Sequence, residues 1–99
     1  MGISVVFWAT GKAADQPINL SMFCRRVKDG LTSSLRGIYS DAEIFIETRN
    51  ASSLTSSECV NLAGPFVYCD GVPASAETRR CVIEVARAAY ASIKWLGDE

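Results

Sequence analysis

The sequence predicts a single α+β domain with strands and helices in the order β-α-β-β-α. Two long segments carry apolar residues at three- and four-residue steps, the period of a helix packed on one side. Three shorter segments show the apolar runs or the alternation of strands. The chain has 99 residues, enough for one hydrophobic core. We therefore expect one domain over residues 1–99, built as a three-stranded sheet with two helices on one face.

The first predicted strand is ISVVFWAT, residues Ile3 to Thr10. It is apolar on both faces, because Phe7 alternates with Val6 and Trp8. Strands that are apolar on both faces are typical of the interior of a sheet. This strand is therefore expected at the centre, followed by a loop over GKAADQP.

The first predicted helix runs from Leu20 to Ile38. Asn19 is a plausible N-cap and Gly37 a plausible stop. Gly30 costs about 1 kcal/mol relative to alanine inside a helix, so a break there with a restart at Thr32 is the alternative. The apolar stripe consists of Leu20, Phe23, Cys24, Val27, Leu31, Leu35 and Ile38.

Two further strands are expected after this helix. Residues Ala42 to Arg49 alternate, with Ile44 and Ile46 on the buried side. The stretch GPFVYCDG reads as a short third strand closed by Asp70-Gly71. Because a hydroxyl-rich loop joins the two strands, they are expected to pair as a long-looped hairpin. The other side of the first of them carries Glu43, Phe45, Glu47 and Arg49.

A second helix is expected from Ser75, its N-cap, to a stop at Gly97. Pro73 is placed near its first turn. The stretch YCDGVPASAE is thereby interpreted as the end of a strand, a turn and the start of a helix rather than as a reactive site. The apolar stripe of this helix consists of Val82, Val85, Ala86, Ala89, Ile93 and Leu96.

The composition argues against catalysis. Histidine is absent, which excludes Ser-His-Asp triads, Cys-His pairs and the commonest zinc ligand. The cysteines Cys24, Cys59, Cys69 and Cys81 form no close pairs of the metal-binding kind, and are expected as free thiols. We therefore predict a protein that is not an enzyme, with no cofactor and no metal.

The net charge and the hydropathy of the chain predict its cellular location and argue against two classes of partner. Ten basic and eleven acidic residues leave a net charge of −1, so no overall field favours nucleic acid or an acidic membrane. The N-terminal apolar run lacks the features of a signal peptide, and no run is long enough to span a bilayer. A cytoplasmic location without membrane association is expected.

The order β-α-β-β-α resembles the DinI-like family, small bacterial, plasmid and phage proteins that modulate the RecA recombinase in the DNA-damage response. The resemblance rests on the opening strand MGISVVF, a helix ending LRGIYSDAEIFI, and the closing helix AETRRCVIEVARAAYASIKWLGDE with a tryptophan near its end. It implies that an acidic ridge on the last helix meets the partner. The matching positions are Glu77, Glu84, Asp98 and Glu99, interrupted here by Arg79, Arg80, Arg87 and Lys94.

The predicted function is that of a small protein-binding modulator or inhibitor. Its partner is expected to be a RecA-type recombinase, or alternatively a host defence complex, as for phage or mobile-element inhibitors such as anti-CRISPR proteins. A small nucleic-acid-binding module is the other alternative. Charges beside aromatic groups mark the expected binding residues, on the outer face of the second strand and the exposed side of the last helix. These are Glu43, Phe45, Glu47, Arg49, Glu84, Arg87, Tyr90 and Lys94.

Overall fold

The computed structural model describes residues 2–35, 42–50 and 60–96. The α+β class is confirmed, with one strand more than expected. The elements are β1 (Gly2–Gly11), a 3₁₀ turn (Lys12–Asp15), α1 (Pro17–Ser34), β2 (Glu43–Asn50), β3 (Val60–Cys69), β4 (Val72–Pro73) and α2 (Ala76–Ala91).

The strands form one mixed sheet in the order β2-β1-β3-β4. β1 pairs parallel with β2 and antiparallel with β3, so its predicted central position is confirmed. The predicted hairpin between the second and third strands is wrong, because β1 separates them. β2 can pair in parallel with β1 because α1 lies between them in the chain and returns it to the start of the sheet, whereas β3 pairs antiparallel along the other edge of β1.

Both helices pack on the same face of the sheet. Phe7 of β1 meets Phe23 of α1 edge to face, with 4.9 Å between ring centroids. The same Phe7 lines a groove together with Ile83 and Ala86 of α2. The core under the helices includes Ile3, Val5, Ala9, Val27, Leu31 and Val82, all without solvent exposure.

α1 begins earlier than expected, at Pro17 rather than after Asn19. Proline suits a first helical position because its missing N–H has no partner there in any case. Asn19 lies inside the helix, and its amide donates to the side-chain oxygen of Gln16 at 2.7 Å. The helix runs unbroken through Gly30 and is capped by Leu35. The predicted stop at Gly37 lies outside the described residues.

Asp70 and Gly71 form the turn that was expected, but it joins β3 to a short fourth strand. Both residues have positive φ, 50° and 82°, as in the turns that suit two-residue hairpins. Pro73 therefore belongs to β4 and not to the first turn of the helix. β3 also starts four residues earlier than expected, at Val60 rather than Gly64.

The predicted N-cap of α2 is confirmed, since the Ser75 hydroxyl accepts from the Thr78 backbone N–H at 3.3 Å. The helix ends at Ala91, short of the predicted stop at Gly97, which lies outside the described residues. Beyond Ala91 the chain turns so that Ile93 and Trp95 are buried. These two side chains therefore pack in the core although their residues lie beyond the end of the helix.

Candidate functional site

The side of the sheet opposite the helices carries the most distinctive surface of the molecule, here called the open face. No described element covers it. It is made by alternate residues of three strands, because successive side chains of a strand point to opposite faces. Its residues are Ser4, Val6 and Trp8 of β1, Phe45, Glu47 and Arg49 of β2, and Phe66 and Tyr68 of β3.

The strand register arranges these side chains in rows across the sheet. Ser4 of β1 is flanked by Phe45 on β2 and Tyr68 on β3. In the next row, Val6 is flanked by Glu47 and Phe66. In these two rows β1 contributes the smaller side chain and the strands on either side contribute larger ones.

This size pattern makes a trough along β1. The trough encloses about 480 Å³ and is lined by Ser4, Val6, Trp8, Glu47, Arg49, Phe66, Tyr68 and Gly71. On the β3 side the rim is aromatic and exposed, with Phe66 46% and Tyr68 37% exposed. Phe45 of β2, which pairs with Ser4 beside the trough, is 55% exposed. Three large aromatic side chains are therefore left in contact with water on one side of a small protein.

A bulge in β3 shapes one end of the trough. Val6 pairs with Phe66 but Trp8 pairs with Ala63, so two steps along β1 match three along β3. The extra residue in β3 raises the local twist of the sheet. Trp8 and Arg49 form the next row, at this end of the face.

The charges on this face are paired with each other and with an aromatic ring. The Arg49 guanidinium is 2.8 Å from a Glu47 carboxylate oxygen, and both side chains are about half exposed. The guanidinium also lies 5.8 Å from the centre of the Trp8 ring. An exposed ion pair contributes only about 0–1 kcal/mol, so this arrangement can open to admit a partner.

The four predicted site residues of β2 lie together on the outer side of their strand, and all four are exposed. Glu84, Arg87 and Lys94 are also exposed, but they belong to the helix layer on the other side of the sheet. Tyr90 is half-buried and stacks on Trp95 with 5.0 Å between ring centroids. The structure therefore divides the predicted residues between two opposite sides of the molecule.

Sequence reasoning missed five of the eight residues of the open face. Phe66 and Tyr68 alternate with the buried Val67, a signal present in the stretch GPFVYC but not used. Trp8 was expected in a strand inside the sheet and was not among the predicted binding residues. Two helices on one face leave the other face without a cover, so the predicted architecture already contained this surface.

A second groove follows the outer edge of β2, between that strand and α1. It encloses about 460 Å³ and is lined by Ala14, Pro17, Leu20, Ser21, Cys24, Ile46, Glu47 and Thr48. Burial raises the pKa of the Cys24 thiol, an effect partly offset by a hydrogen bond with the Thr48 side chain. The thiol therefore stays protonated near neutral pH, which makes it a weak nucleophile.

Cys24, Cys69 and Cys81 are free thiols. Burial, and then the nearby Glu84 carboxylate, raise the pKa of Cys81. Within residues 2–35, 42–50 and 60–96, no group of three or more Cys, Asp or Glu side chains is placed to hold a metal ion.

Across the same parts of the chain, neither helix has the length and apolar character needed to cross a membrane.

No protein-family model matches the sequence, and comparison with curated proteins and with solved structures gives no significant match.

Proposed function

We propose that this protein is a non-enzymatic modulator that acts by binding another protein through the open face of its sheet. The observation that carries the proposal is the exposure of Phe66 and Tyr68 along one trough and of Phe45 beside it on the same face. Exposed aromatic groups gathered on one surface mark interaction sites, because aromatic side chains contribute most of the binding energy at many interfaces.

The charge of this surface favours a protein over a nucleic acid. Sheets that bind single strands combine stacking aromatics with a basic surface that follows the phosphates. Here Glu43 and Glu47 lie on the open side of β2 and Asp70 lies at the adjoining turn, against Arg49 alone among the described basic residues of the face. Phosphate groups would be repelled by this excess of carboxylates.

The DinI-like resemblance makes a RecA-type recombinase the first partner to test, and a host defence complex the second. The resemblance also implies a different contact surface, the exposed side of α2 with Glu77 and Glu84. Because α2 and the open face lie on opposite sides of the sheet, substitutions can separate the two surfaces.

Binding of purified RecA filaments, measured by biolayer interferometry, tests both partner and surface. Phe45→Ala and Phe66→Ala are each expected to weaken binding by about 1 kcal/mol or more, as truncated interface anchors do. Glu84→Ala and Arg87→Ala are the matched controls on the exposed side of α2. They should leave binding unchanged, and all four variants should keep the melting curve of the parent.

The reverse result, with only the α2 variants weakened, would assign binding to the helix and refute the open face. If RecA does not bind at all, capture from bacterial lysate compared between the parent and Phe66→Ala identifies candidate partners that depend on this face. Binding to single-stranded DNA or RNA that falls steeply with added salt would instead support the nucleic-acid alternative.

A further inference from the structure

β2 is an edge strand, and in the described residues no strand pairs with its outer side. It is eight residues long, from Glu43 to Asn50. At the opposite edge of the sheet, β4 has only two residues and pairs with Tyr68 and Cys69 of β3, so the described strands leave the rest of that side of β3 unpaired as well. A long strand with an unpaired edge offers a row of backbone donors and acceptors to another strand, and natural proteins usually shorten, bulge or cover such edges.

We propose that a second copy of this chain occupies the edge, with the two β2 strands antiparallel and a two-fold axis at Ile46. The argument is the order of charges along the strand, EIFIETR. About Ile46 as centre, Glu43 lies opposite Arg49 of the second copy, and Arg49 lies opposite its Glu43. Opposite charges placed directly across two antiparallel strands stabilise the pairing.

Neighbouring registers are disfavoured by the same charges. A shift by two residues in one direction places Glu43 opposite Glu47 of the second copy. The same shift in the other direction places Glu47 opposite its own counterpart. Like charges directly opposite are destabilising, so the register centred on Ile46 is selected. In all three registers the helix layers of both copies stay on one side of the joint sheet, because paired residues share a face.

The groove between α1 and β2 gives this arrangement apolar contacts as well. Ile46 is half-buried and lines that groove together with Leu20 and Pro17. At the two-fold axis, the Ile46 side chains of the two copies lie opposite each other on the helix side of the sheet. The second copy thereby removes from water an apolar strip that is partly exposed in one chain.

The dimer goes beyond the proposed function and does not depend on it. Joining the two edges aligns the open faces of both copies on one side of a continuous sheet, with four strands from each. A partner would then meet two troughs with one fixed spacing. Loss of partner binding with an intact dimer, or the reverse, distinguishes failure of one proposal from failure of the other.

Sedimentation equilibrium from micromolar to millimolar protein tests the dimer through charge exchange. Glu43→Arg and Arg49→Glu each create two pairs of like charges in the dimer, because position 43 of either copy lies opposite position 49 of the other. Each alone should raise the dimer Kd by about tenfold or more, since two cross-strand pairs turn from attractive to repulsive. Mixed in equal amounts, the two variants should form a heterodimer, because one chain is then positive and the other negative at both positions.

The Glu43→Arg/Arg49→Glu double variant exchanges the two charges within one chain and should dimerise like the parent. Circular dichroism will show whether each single variant folds. If one of them does not, the double variant still tests whether the exchanged charges support the dimer. Glu84→Arg, on the helix layer, is the control and should leave the dimer Kd unchanged.

A parent chain that stays monomeric at millimolar concentration overturns the proposal. So does a dimer that both single variants leave intact, since another surface would then form it. Single variants that are monomeric alone and remain so when mixed would overturn the paired charges and the register.

Discussion

Gly30 of α1 and Val85 of α2 lie so close that a Cβ built on Gly30 would be 2.6 Å from the Val85 Cγ1 atom. Carbon atoms at that separation overlap strongly. Valine in a helix is held in one strongly preferred rotamer, so the methyl group cannot move away at low cost. The glycine therefore sets how closely the two helices approach, which explains its presence in a helix interior.

Replacing Gly30 by alanine should consequently destabilise the protein. Alanine gains about 1 kcal/mol of helix propensity, whereas overpacking a core contact costs about 1 to 3 kcal/mol. In a Val85→Ala background the same replacement should become stabilising, because the obstructing methyl groups are gone. Urea unfolding of the four chains measures both effects. A Gly30→Ala chain more stable than the parent would show that the helices separate without cost.

The buried face of α1 should carry much of the stability. Val27 and Leu31 are without solvent exposure. Truncation of either to alanine should lower the free energy of unfolding by about 2 to 5 kcal/mol, the range of large-to-small changes in a core. Arg25→Ala and Lys28→Ala, exposed on the same helix, should change it by less than about 0.5 kcal/mol. Thermal and urea melts of the four variants decide, and equal effects at all positions would contradict this packing.

Gln16 ties the segment after α2 to the start of α1. Its side-chain nitrogen donates to the Leu96 carbonyl and its side-chain oxygen accepts from the Leu96 N–H, each at 2.9 Å. Gln16→Leu should lower the free energy of unfolding by about 1 to 3 kcal/mol, because it removes both of these part-buried hydrogen bonds, each worth about 0.5 to 1.5 kcal/mol. The carboxylate of Gln16→Glu can still accept the hydrogen bond from the Leu96 N–H but cannot donate one to the Leu96 carbonyl. Its free energy of unfolding should therefore lie between those of the parent and Gln16→Leu. Hydrogen exchange at the Leu96 amide should accelerate in Gln16→Leu if this bond is what protects it.

Cys24 should react slowly with iodoacetamide. The midpoint of the curve of reaction rate against pH should be more alkaline than for an exposed cysteine. Burial raises the pKa of this thiol above its ordinary value of 9.0, so less thiolate is present at any given pH. A short peptide of residues 22–26 is the unfolded control. Peptide mapping by mass spectrometry follows each rate, and equal midpoints in peptide and protein would refute the effect of burial.

The same shift of the Cys24 pKa implies a loss of stability in alkali. The folded thiol holds its proton at pH values where the unfolded thiol has released it. The stabilising contribution is therefore complete below about pH 9 and declines as the pH rises through the higher pKa of the folded state. A Cys24→Ala variant should show a smaller decline between pH 9 and pH 11 than the parent.

Local patterns in the sequence were enough to predict several elements. The central position of β1 follows from Phe7, Val6 and Trp8 being apolar on alternating sides, and the structure confirms it. The Ser75 cap was likewise readable, because a hydroxyl three residues before a helical N–H is a local feature. The start of α1 was missed although Pro17 signalled it, since Asn19 was preferred as a cap.

Pairings between distant segments were not readable in the same way. Nothing local to β2 says whether it lies beside β3 or beside β1, so proximity along the chain led to the wrong hairpin. The early end of α2 depends on Trp95 packing against Phe23, with 6.3 Å between ring centroids, and on the bonds from Gln16 to Leu96. The division of the predicted site between two faces follows from the helix layer, which covers only one side of the sheet.

The position of β1 also has a consequence for synthesis of the chain. The strand made first is the one on which the whole sheet is built, and its pairing of Ile3 with Cys69 spans 66 positions (69 − 3). Until the ribosome has released β3, β1 has at most its parallel neighbour β2, and the backbone groups along its other edge have no strand partner. Contacts between such distant segments slow folding and prolong this exposure. We expect the growing chain to be most prone to aggregation during this interval, before β3 has paired with β1.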